Sequence, residues 1–70
     1  MSTVIEELVR EIASVARVSI TRQQNGWWWV SAAPNGHPPL MWYGNELRLE
    51  DALDDCRRQA VRDKFLKDVH

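Results

Sequence analysis

The first apolar residues of the chain recur every three or four positions, which is the spacing of one face of an α-helix. They are Val4, Ile5, Leu8, Val9, Ile12 and Val15. Thr3 and Glu6 have the spacing of a capping box, in which two side chains satisfy backbone N–H groups at a helix start. The pattern predicts an amphipathic helix over residues 3 to 15.

The next segment alternates apolar and polar residues, the period-two pattern of a half-buried strand. Its apolar positions are Ala16, Val18 and Ile20. We therefore predict a strand over residues 16 to 23. Asn25 and Gly26 follow it, and this pair is a strong signal for a β-hairpin because both residues tolerate positive φ.

Two hairpin registers compete after this strand. A two-residue loop mixes apolar and polar residues on both faces. A three-residue loop over residues 24 to 26, with Gly26 in the left-handed conformation, pairs Ile20 with Val30 and separates the two kinds. The apolar face is then Val18, Ile20, Trp28, Val30 and Ala32. Because a slip by one residue turns every side chain to the other face, this separation favours the three-residue loop.

Three consecutive tryptophans divide between the two faces in this register. Trp28 joins the apolar face and is predicted to be the structural tryptophan, whereas Trp27 and Trp29 lie on the outer face.

A third strand is predicted over residues 40 to 43, Leu-Met-Trp-Tyr, which are rich in β-forming residues and follow a proline-containing loop. Gly44 and Asn45 are predicted to end it. Either the face of Trp42 or the face of Tyr43 can point inward.

Residues 46 to 68 form the clearest helical pattern, with an apolar face that Phe65 extends by one turn. That face is Leu49, Ala52, Leu53, Cys56, Ala60 and Val61. The acidic residues of the first half are Glu50, Asp51, Asp54 and Asp55. The basic residues of the second half are Arg57, Arg58, Arg62, Lys64 and Lys67. This polarity complements the helix dipole.

The predicted order of elements is α-β-β-β-α in one domain of residues 1 to 70. This is an α+β fold, in which both helices pack on one face of a small, antiparallel, three-stranded sheet. The opposite face, which carries Trp27 and Trp29, is then uncovered.

Composition narrows the classes of function. The net charge of −1 and the pI near 6.0 argue against a general nucleic-acid coat. The N-terminal residues do not resemble a signal peptide, and no apolar run has the roughly 20 residues of a membrane span. Cys56 is the single cysteine, so an internal disulfide is excluded and a cytoplasmic location is expected.

No pattern of catalytic residues is present. The acidic residues of the last helix could hold a metal or act as acid and base, but a solvated helix start explains them better because nothing in the sequence supplies a pocket. Cys56 falls on an apolar helix face, where a buried, unreactive thiol is expected. We therefore expect no enzyme activity, no cofactor and no metal.

The basic residues of the last helix are the candidate nucleic-acid contacts, and the order of elements is similar to that of double-stranded-RNA-binding domains. Those domains begin their second helix with lysines, whereas this one begins with acids. A solvated helix face is therefore favoured over a nucleic-acid site.

Trp27, Trp29 and Tyr43 are the candidate partner-binding residues, because large aromatic side chains on an open face are preferred interface anchors. A cross-strand aromatic cluster is the structural alternative. A homodimer is also expected, because a 70-residue chain without a disulfide or an evident metal has a limited core. It would bury the aromatic residues of both copies or join exposed strand edges.

Residues 21 to 61 resemble HicB-like antitoxins, a group with a partial double-stranded-RNA-binding-domain fold. The matching features are the run from Gly26 to Val30, the proline loop over residues 34 to 39, and the Leu-Glu-Asp-Ala-Leu run at 49 to 53. The resemblance implies that the chain binds and neutralises a small partner protein.

These expectations converge on a small, non-enzymatic protein-binding module that inhibits or regulates its partner. Compact accessory proteins of phages and plasmids, including antitoxins and inhibitors of host defence, are the analogy in size. The alternative is a nucleic-acid-binding regulator that uses the basic part of the last helix.

Overall fold

The computed structural model describes residues 4–67 and has the predicted α+β architecture. Its elements are α1 (Val4–Ala13), β1 (Ala16–Arg22), β2 (Trp28–Pro34), β3 (Trp42–Glu46) and α2 (Leu49–Arg62). The three strands form an antiparallel sheet in the order β1-β2-β3. Residues from both helices share one core with the inward side chains of the sheet.

Helix α1 is shorter than predicted and ends at Ala13. The Ser14 hydroxyl donates to the carbonyl of Glu11 (2.6 Å), and the Val15 N–H bonds to the carbonyl of Ile12 (3.1 Å). These short-range bonds tighten the last turn and lead the chain into β1. Leu8 and Ile12 are its buried residues. Thr3, and with it the predicted capping box, lies outside the described residues.

The β1–β2 hairpin has the predicted three-residue loop. Ile20 pairs with Val30, and Arg22 pairs with Trp28. Gly26 has a φ of +87°, so it occupies the left-handed position where a Cβ would be strained. The Asn25 side chain accepts the N–H of Trp27 at 2.9 Å and completes the turn.

Strand β3 begins later and runs further than predicted, because Gly44 and Asn45 continue it. Gly44 lies opposite Val30 and faces α2, where a Cβ would stand 2.0 Å from the carbonyl oxygen of Ala52. The glycine therefore serves close packing of strand against helix, and it does not end the strand. The inward face of β3 is that of Trp42.

Trp42 occupies the centre of the core and is fully buried. Its ring makes an edge contact with Phe65 at a centroid distance of 5.3 Å. The indole N–H donates to the carboxylate of Asp63 at 2.9 Å, so the one polar atom of the ring is satisfied. Trp28 also faces inward, as predicted, but is only half-buried, with the Arg22 guanidinium 5.3 Å from its ring centre.

Helix α2 is shorter than the predicted range of residues 46 to 68 at both ends. It begins after Arg48 and not at residue 46, because residue 46 still belongs to β3. The Arg48 side chain makes no capping hydrogen bond. At its other end Lys64 has a φ of +67°. The N–H of Phe65 then bonds to the carbonyl of Ala60 at 2.8 Å, which completes a Schellman motif.

This motif places Phe65 differently from the sequence prediction. Phe65 does not extend the helical face by another turn, because the chain reverses at Lys64. Its ring packs instead against Trp42 and against His37, at centroid distances of 5.3 Å and 4.9 Å. The reversal thus places the Phe65 ring against Trp42, whereas a continued helix would have placed this ring elsewhere.

We expect Gly44→Ala to lower the free energy of unfolding by about 3 kcal/mol, the upper end of the range for over-packing, because backbone must shift. Gly26→Ala is the control, since a Cβ there meets nothing within 4 Å and only the left-handed strain of about 1 to 2 kcal/mol applies. Urea unfolding followed by circular dichroism measures both. A greater loss for Gly26→Ala would contradict the packing role of Gly44.

Alanine substitutions should rank the tryptophans by burial. Trp42→Ala should cost about 3 to 5 kcal/mol, the range for deletion of a buried aromatic side chain. Trp28→Ala should cost less because Trp28 is half-buried, and Trp27→Ala least because its side chain is 39% exposed. Urea unfolding by circular dichroism gives the order. Finding Trp27 the most costly would contradict the assignment of faces.

Asp63 should make stability depend on acid pH. The hydrogen bond from Arg62, followed by the bond from Trp42, holds the pKa of Asp63 below its ordinary value. Ionised Asp63 therefore stabilises the fold above about pH 4, the unfolded pKa, and this contribution is lost as the pH falls through the lowered folded pKa. Asp63→Asn should lower stability at pH 7 and lower it less at pH 3, measured by urea unfolding. An equal difference at both pH values would contradict the expectation.

Candidate functional site

The sheet face opposite the helices is the main candidate binding surface among the described residues. Alternation along the three strands places eight side chains on this outer face. They are Arg17, Ser19, Thr21, Trp29, Ser31, Ala33, Tyr43 and Asn45. Arg17 is the only charged residue among them, so the face is nearly free of charge.

Trp29 and Tyr43 meet on this face, as the cross-strand register requires. Trp29 lies opposite Asn45, and Ser31 lies opposite Tyr43, so the two aromatic rings are diagonal neighbours. Their centroids are 5.3 Å apart and the ring planes are tilted by 37°. Such a pair contributes about 0.5 to 1.5 kcal/mol beyond burial. The cross-strand aromatic cluster, expected as the structural alternative, is therefore formed by Trp29 and Tyr43 without a ring contact from Trp27.

The pair still leaves apolar surface in contact with solvent. The Tyr43 side chain is 45% exposed and Trp27 is 39% exposed. Met41 precedes β3, is 38% exposed, and its sulfur accepts a hydrogen bond from the Tyr43 hydroxyl at 3.5 Å. We call Trp27, Trp29, Met41 and Tyr43 the aromatic patch.

Met41 was not among the predicted site residues. The signal that could have found it is its spacing of two from Tyr43, which places both on one face of an extended chain. The sequence did not decide which face of this segment is buried. Once Trp42 fills the core, Met41 and Tyr43 must point outward.

Helix α2 fixes the strand that carries Tyr43. The Gln59 side chain accepts the Tyr43 backbone N–H at 3.1 Å and donates to the Tyr43 carbonyl at 2.6 Å. It thereby bonds both backbone groups that this residue of the edge strand would otherwise expose. The aromatic patch is positioned by hydrogen bonds from beneath as well as by packing of Trp42.

The five basic candidate residues do not form one uninterrupted cationic surface. Arg57 and Arg58 form ion pairs with Asp54 at 3.5 Å and 3.1 Å, and Arg58 also pairs with Asp55 at 2.9 Å. The Arg57 side chain is only 13% exposed. Much of the charge is thus neutralised by neighbouring carboxylates on the same helix.

The remaining candidates lie around the end of α2. Arg62 pairs with Asp63 at 3.0 Å. Lys64 and Lys67 are exposed but follow the helix end, because the chain reverses at Lys64. They were predicted on the helix, and the reversal removes them from the face that carries Arg57 and Arg58.

Acidic side chains at the start of α2 make contacts along the helix and with β3. Glu50 forms an ion pair with Arg48. The carboxyl of Glu46, at the end of β3, has a raised pKa because it shares a hydrogen bond with Asp55 and is repelled by its charge. Within residues 4–67 no group of three or more His, Cys, Asp or Glu side chains is arranged to hold a metal ion.

The lone cysteine is packed into the core as predicted. Cys56 is fully buried, and its thiol lies 3.7 Å from the Val30 carbonyl oxygen, to which it donates. Burial, with a smaller contribution from the charge of Asp55, raises the pKa of the thiol to about 11. The thiolate needed for nucleophilic attack is therefore scarce at neutral pH.

Comparisons with known proteins leave this geometry as the main guide to function. In the part of the chain that is described, no helix has the length and apolar character needed to cross a membrane. No protein-family model, no curated protein and no solved structure matches the chain.

Proposed function

We propose that this protein is a small, non-enzymatic protein-binding module that inhibits or regulates its partner through the aromatic patch. One observation carries the proposal: the Trp29–Tyr43 pair lies on a sheet face that neither α1 nor α2 covers, with Tyr43 45% exposed. Monomers rarely leave such apolar surface in solvent, and Trp and Tyr are the side chains that most often anchor interfaces.

The chemistry of the outer face indicates what the partner surface must offer. Ser31, Asn45 and the Tyr43 hydroxyl supply uncharged hydrogen-bonding groups around the aromatic rings. With Arg17 as the only charge, long-range electrostatic attraction contributes little. The partner therefore presents an apolar surface with uncharged polar groups, and the affinity depends weakly on salt.

The biological class of the protein is proposed by analogy. A compact chain that lacks metal-ligand clusters in residues 4–67 and offers one aromatic face suits an accessory inhibitor of the kind carried by phages and plasmids. The resemblance of residues 21 to 61 to HicB-like antitoxins supports the same role. A cytoplasmic site of action belongs to the proposal because the lone cysteine is a free thiol.

A nucleic-acid-binding regulator is the second candidate, and exposed Lys64 and Lys67 favour it. The carboxylate partners of Arg57, Arg58 and Arg62 oppose it. So do the acids at the start of α2, where double-stranded-RNA-binding domains carry lysines. A salt titration of binding to mixed DNA and RNA decides, since phosphate contacts strengthen as salt is lowered. No affinity at low salt removes this candidate.

The proposal predicts that loss of two aromatic anchors abolishes partner capture. The test compares three immobilised baits in extract of the native host: wild type, Trp29→Ser with Tyr43→Ser, and Leu47→Ser. Leu47 is 61% exposed and lies outside the aromatic patch, so it controls for loss of exposed apolar surface. The double variant should lose a specific protein that wild type and Leu47→Ser both retain.

The captured protein is then purified and titrated calorimetrically. Two anchors of about 2 kcal/mol each predict a weakening of the dissociation constant by about a thousandfold. The dissociation constant of the wild type should change little between low and physiological salt. Equal capture by all three baits, with circular dichroism showing all three folded, would contradict the proposal.

A further inference from the structure

The free edge of β1 carries backbone groups that its own sheet does not use. The N–H of Gln23 bonds to the carbonyl of Trp27 at 2.8 Å, which makes these two residues a hydrogen-bonded pair. Hydrogen-bonded and non-bonded pairs alternate along an antiparallel ladder. The N–H and C=O groups of four residues of β1 therefore point away from β2. They are Ala16, Val18, Ile20 and Arg22.

The opposite edge of the sheet is treated differently. On β3 the Gln59 side chain bonds the outward N–H and C=O of Tyr43. On β1 no residue of 4–67 bonds the outward groups of Val18, Ile20 or Arg22. Strand β1 is also longer, with seven residues in continuous register, and contains neither a bulge nor a proline. Charge is another device by which edge strands avoid pairing, but the middle residues, 18 to 21, carry none, and the two arginines of the strand flank this run at Arg17 and Arg22.

The side chains along this edge favour addition of another strand. Residues 18 to 21 are Val-Ser-Ile-Thr, three of them β-branched, and β-branched residues are enriched in strands. On the helix side of the sheet Val18 is half-buried and Ile20 is 40% exposed. The apolar surface of α1 and α2 therefore does not close over this edge.

We propose that β1 pairs antiparallel with β1 of a second copy of this chain, which joins the two sheets into one of six strands. The two-fold axis passes through Ser19 and is perpendicular to the sheet. Val18 then lies opposite Ile20 of the second copy, and Ser19 lies opposite its own counterpart. This register keeps the helices of both copies on the same side.

Charge and side-chain chemistry select this register. Arg17 falls opposite Thr21 and Arg22 falls opposite Ala16, so no two arginines face each other across the junction. A shift that centres the axis on Ile20 keeps the faces aligned but sets Val18 against Arg22. All four outward-pointing residues find hydrogen-bonding partners in the Ser19-centred register.

A second copy fits better than an open chain of subunits, because β1 offers outward groups on four residues, whereas Asn45 is the single residue of β3 whose outward groups no residue of 4–67 bonds. Pairing of β1 with β1 consumes that edge in both copies, and Gln59 bonds Tyr43 at the other edge. The assembly is therefore closed at two subunits. The aromatic patch lies on β2, β3 and their flanks, so it stays open in the dimer, and failure of this inference leaves the proposed function untouched.

Size exclusion with light scattering, over a range of concentrations, tests the assembly with the whole chain. The wild type should show twice the 8.2 kDa chain mass. Ile20→Lys places a charge on the helix side of the β1 edge in each copy, which opposes pairing. If each charge weakens association about tenfold, the dimer dissociation constant rises about a hundredfold. Tyr43→Ser is the control and should keep the dimer, because the aromatic patch is not at the junction.

A disulfide tests the register and covers the case in which Ile20→Lys does not fold. Ser19→Cys brings two thiols into a directly opposed, non-hydrogen-bonded pair with Cα atoms about 4.5 Å apart, within disulfide range. Mild oxidation should lock this variant as a dimer on non-reducing gels. Thr21→Cys is the matched control, since its thiols stand four residues out of register and should not cross-link.

Two results would overturn the proposal. One is a single-chain mass for the wild type at every concentration, which would leave the β1 edge to a foreign strand. The other is equal cross-linking of Ser19→Cys and Thr21→Cys, which would show random collision in place of a fixed register. Buried Cys56 does not compete in this experiment, because its thiol is enclosed in the core.

Discussion

The close approach of β3 to α2 is the contact on which the rest of this structure depends. Gly44 lets the strand backbone come so near to Ala52 that no side chain could fit between them. The approach brings Trp42 fully into the core, between the sheet and the residues that follow α2. It also brings Gln59 within hydrogen-bonding distance of the backbone of Tyr43. The absence of a Cβ at Gly44 therefore allows the burial of Trp42, the bonding of the β3 edge by Gln59 and the outward position of Tyr43.

In this 70-residue chain both helices pack on one side of the sheet, and residues 4–67 leave the other sheet face uncovered. The molecule measures 31 × 30 × 17 Å, and its short dimension is the depth of two layers. Both helices are used to cover the inward face, so residues 4–67 contain no third layer for the outer face. Apolar residues placed there by strand alternation must pair with one another or with another molecule. Trp29 and Tyr43 do the first and leave surface for the second.

The sequence was sufficient to predict the order of elements and the register of the first hairpin. Both follow from local chemistry: Gly26 supplies the left-handed residue, and separation of apolar from polar residues rejects a slip. The bounds of β3 were wrong because glycine normally weakens a strand, whereas Gly44 is required by a helix far along the chain. The end of α2 was wrong because Lys64, unlike glycine, gives no warning of a left-handed residue. Phe65 had helical spacing but is held by Trp42 through a tertiary contact.

The sequence also left the outer face incompletely described where the position of a residue depends on distant packing. Trp27 and Trp29 could be placed outward by alternation, but Met41 and Tyr43 needed the knowledge that Trp42 is buried. Asp63 and Asp68 interrupt the basic residues along the chain, and helical spacing of three and four residues pairs Arg57 and Arg58 with Asp54. Charge counted along a sequence therefore overstates the charge presented to a partner. Side chains already neutralised by a neighbour contribute little to steering or to release of counterions.

The run of three tryptophans then has a physical explanation. Strand alternation allows only the middle one to turn inward, where it packs at the end of the sheet beside Arg22. An outward tryptophan gains less burial from the fold than one in the core, and its remaining hydrophobic surface lowers solubility unless something covers it. Trp29 is partly covered by Tyr43, and Trp27 retains 39% exposure at the hairpin end. Folding alone does not require aromatic side chains at these outward positions, and their presence there supports the proposed role in binding another protein.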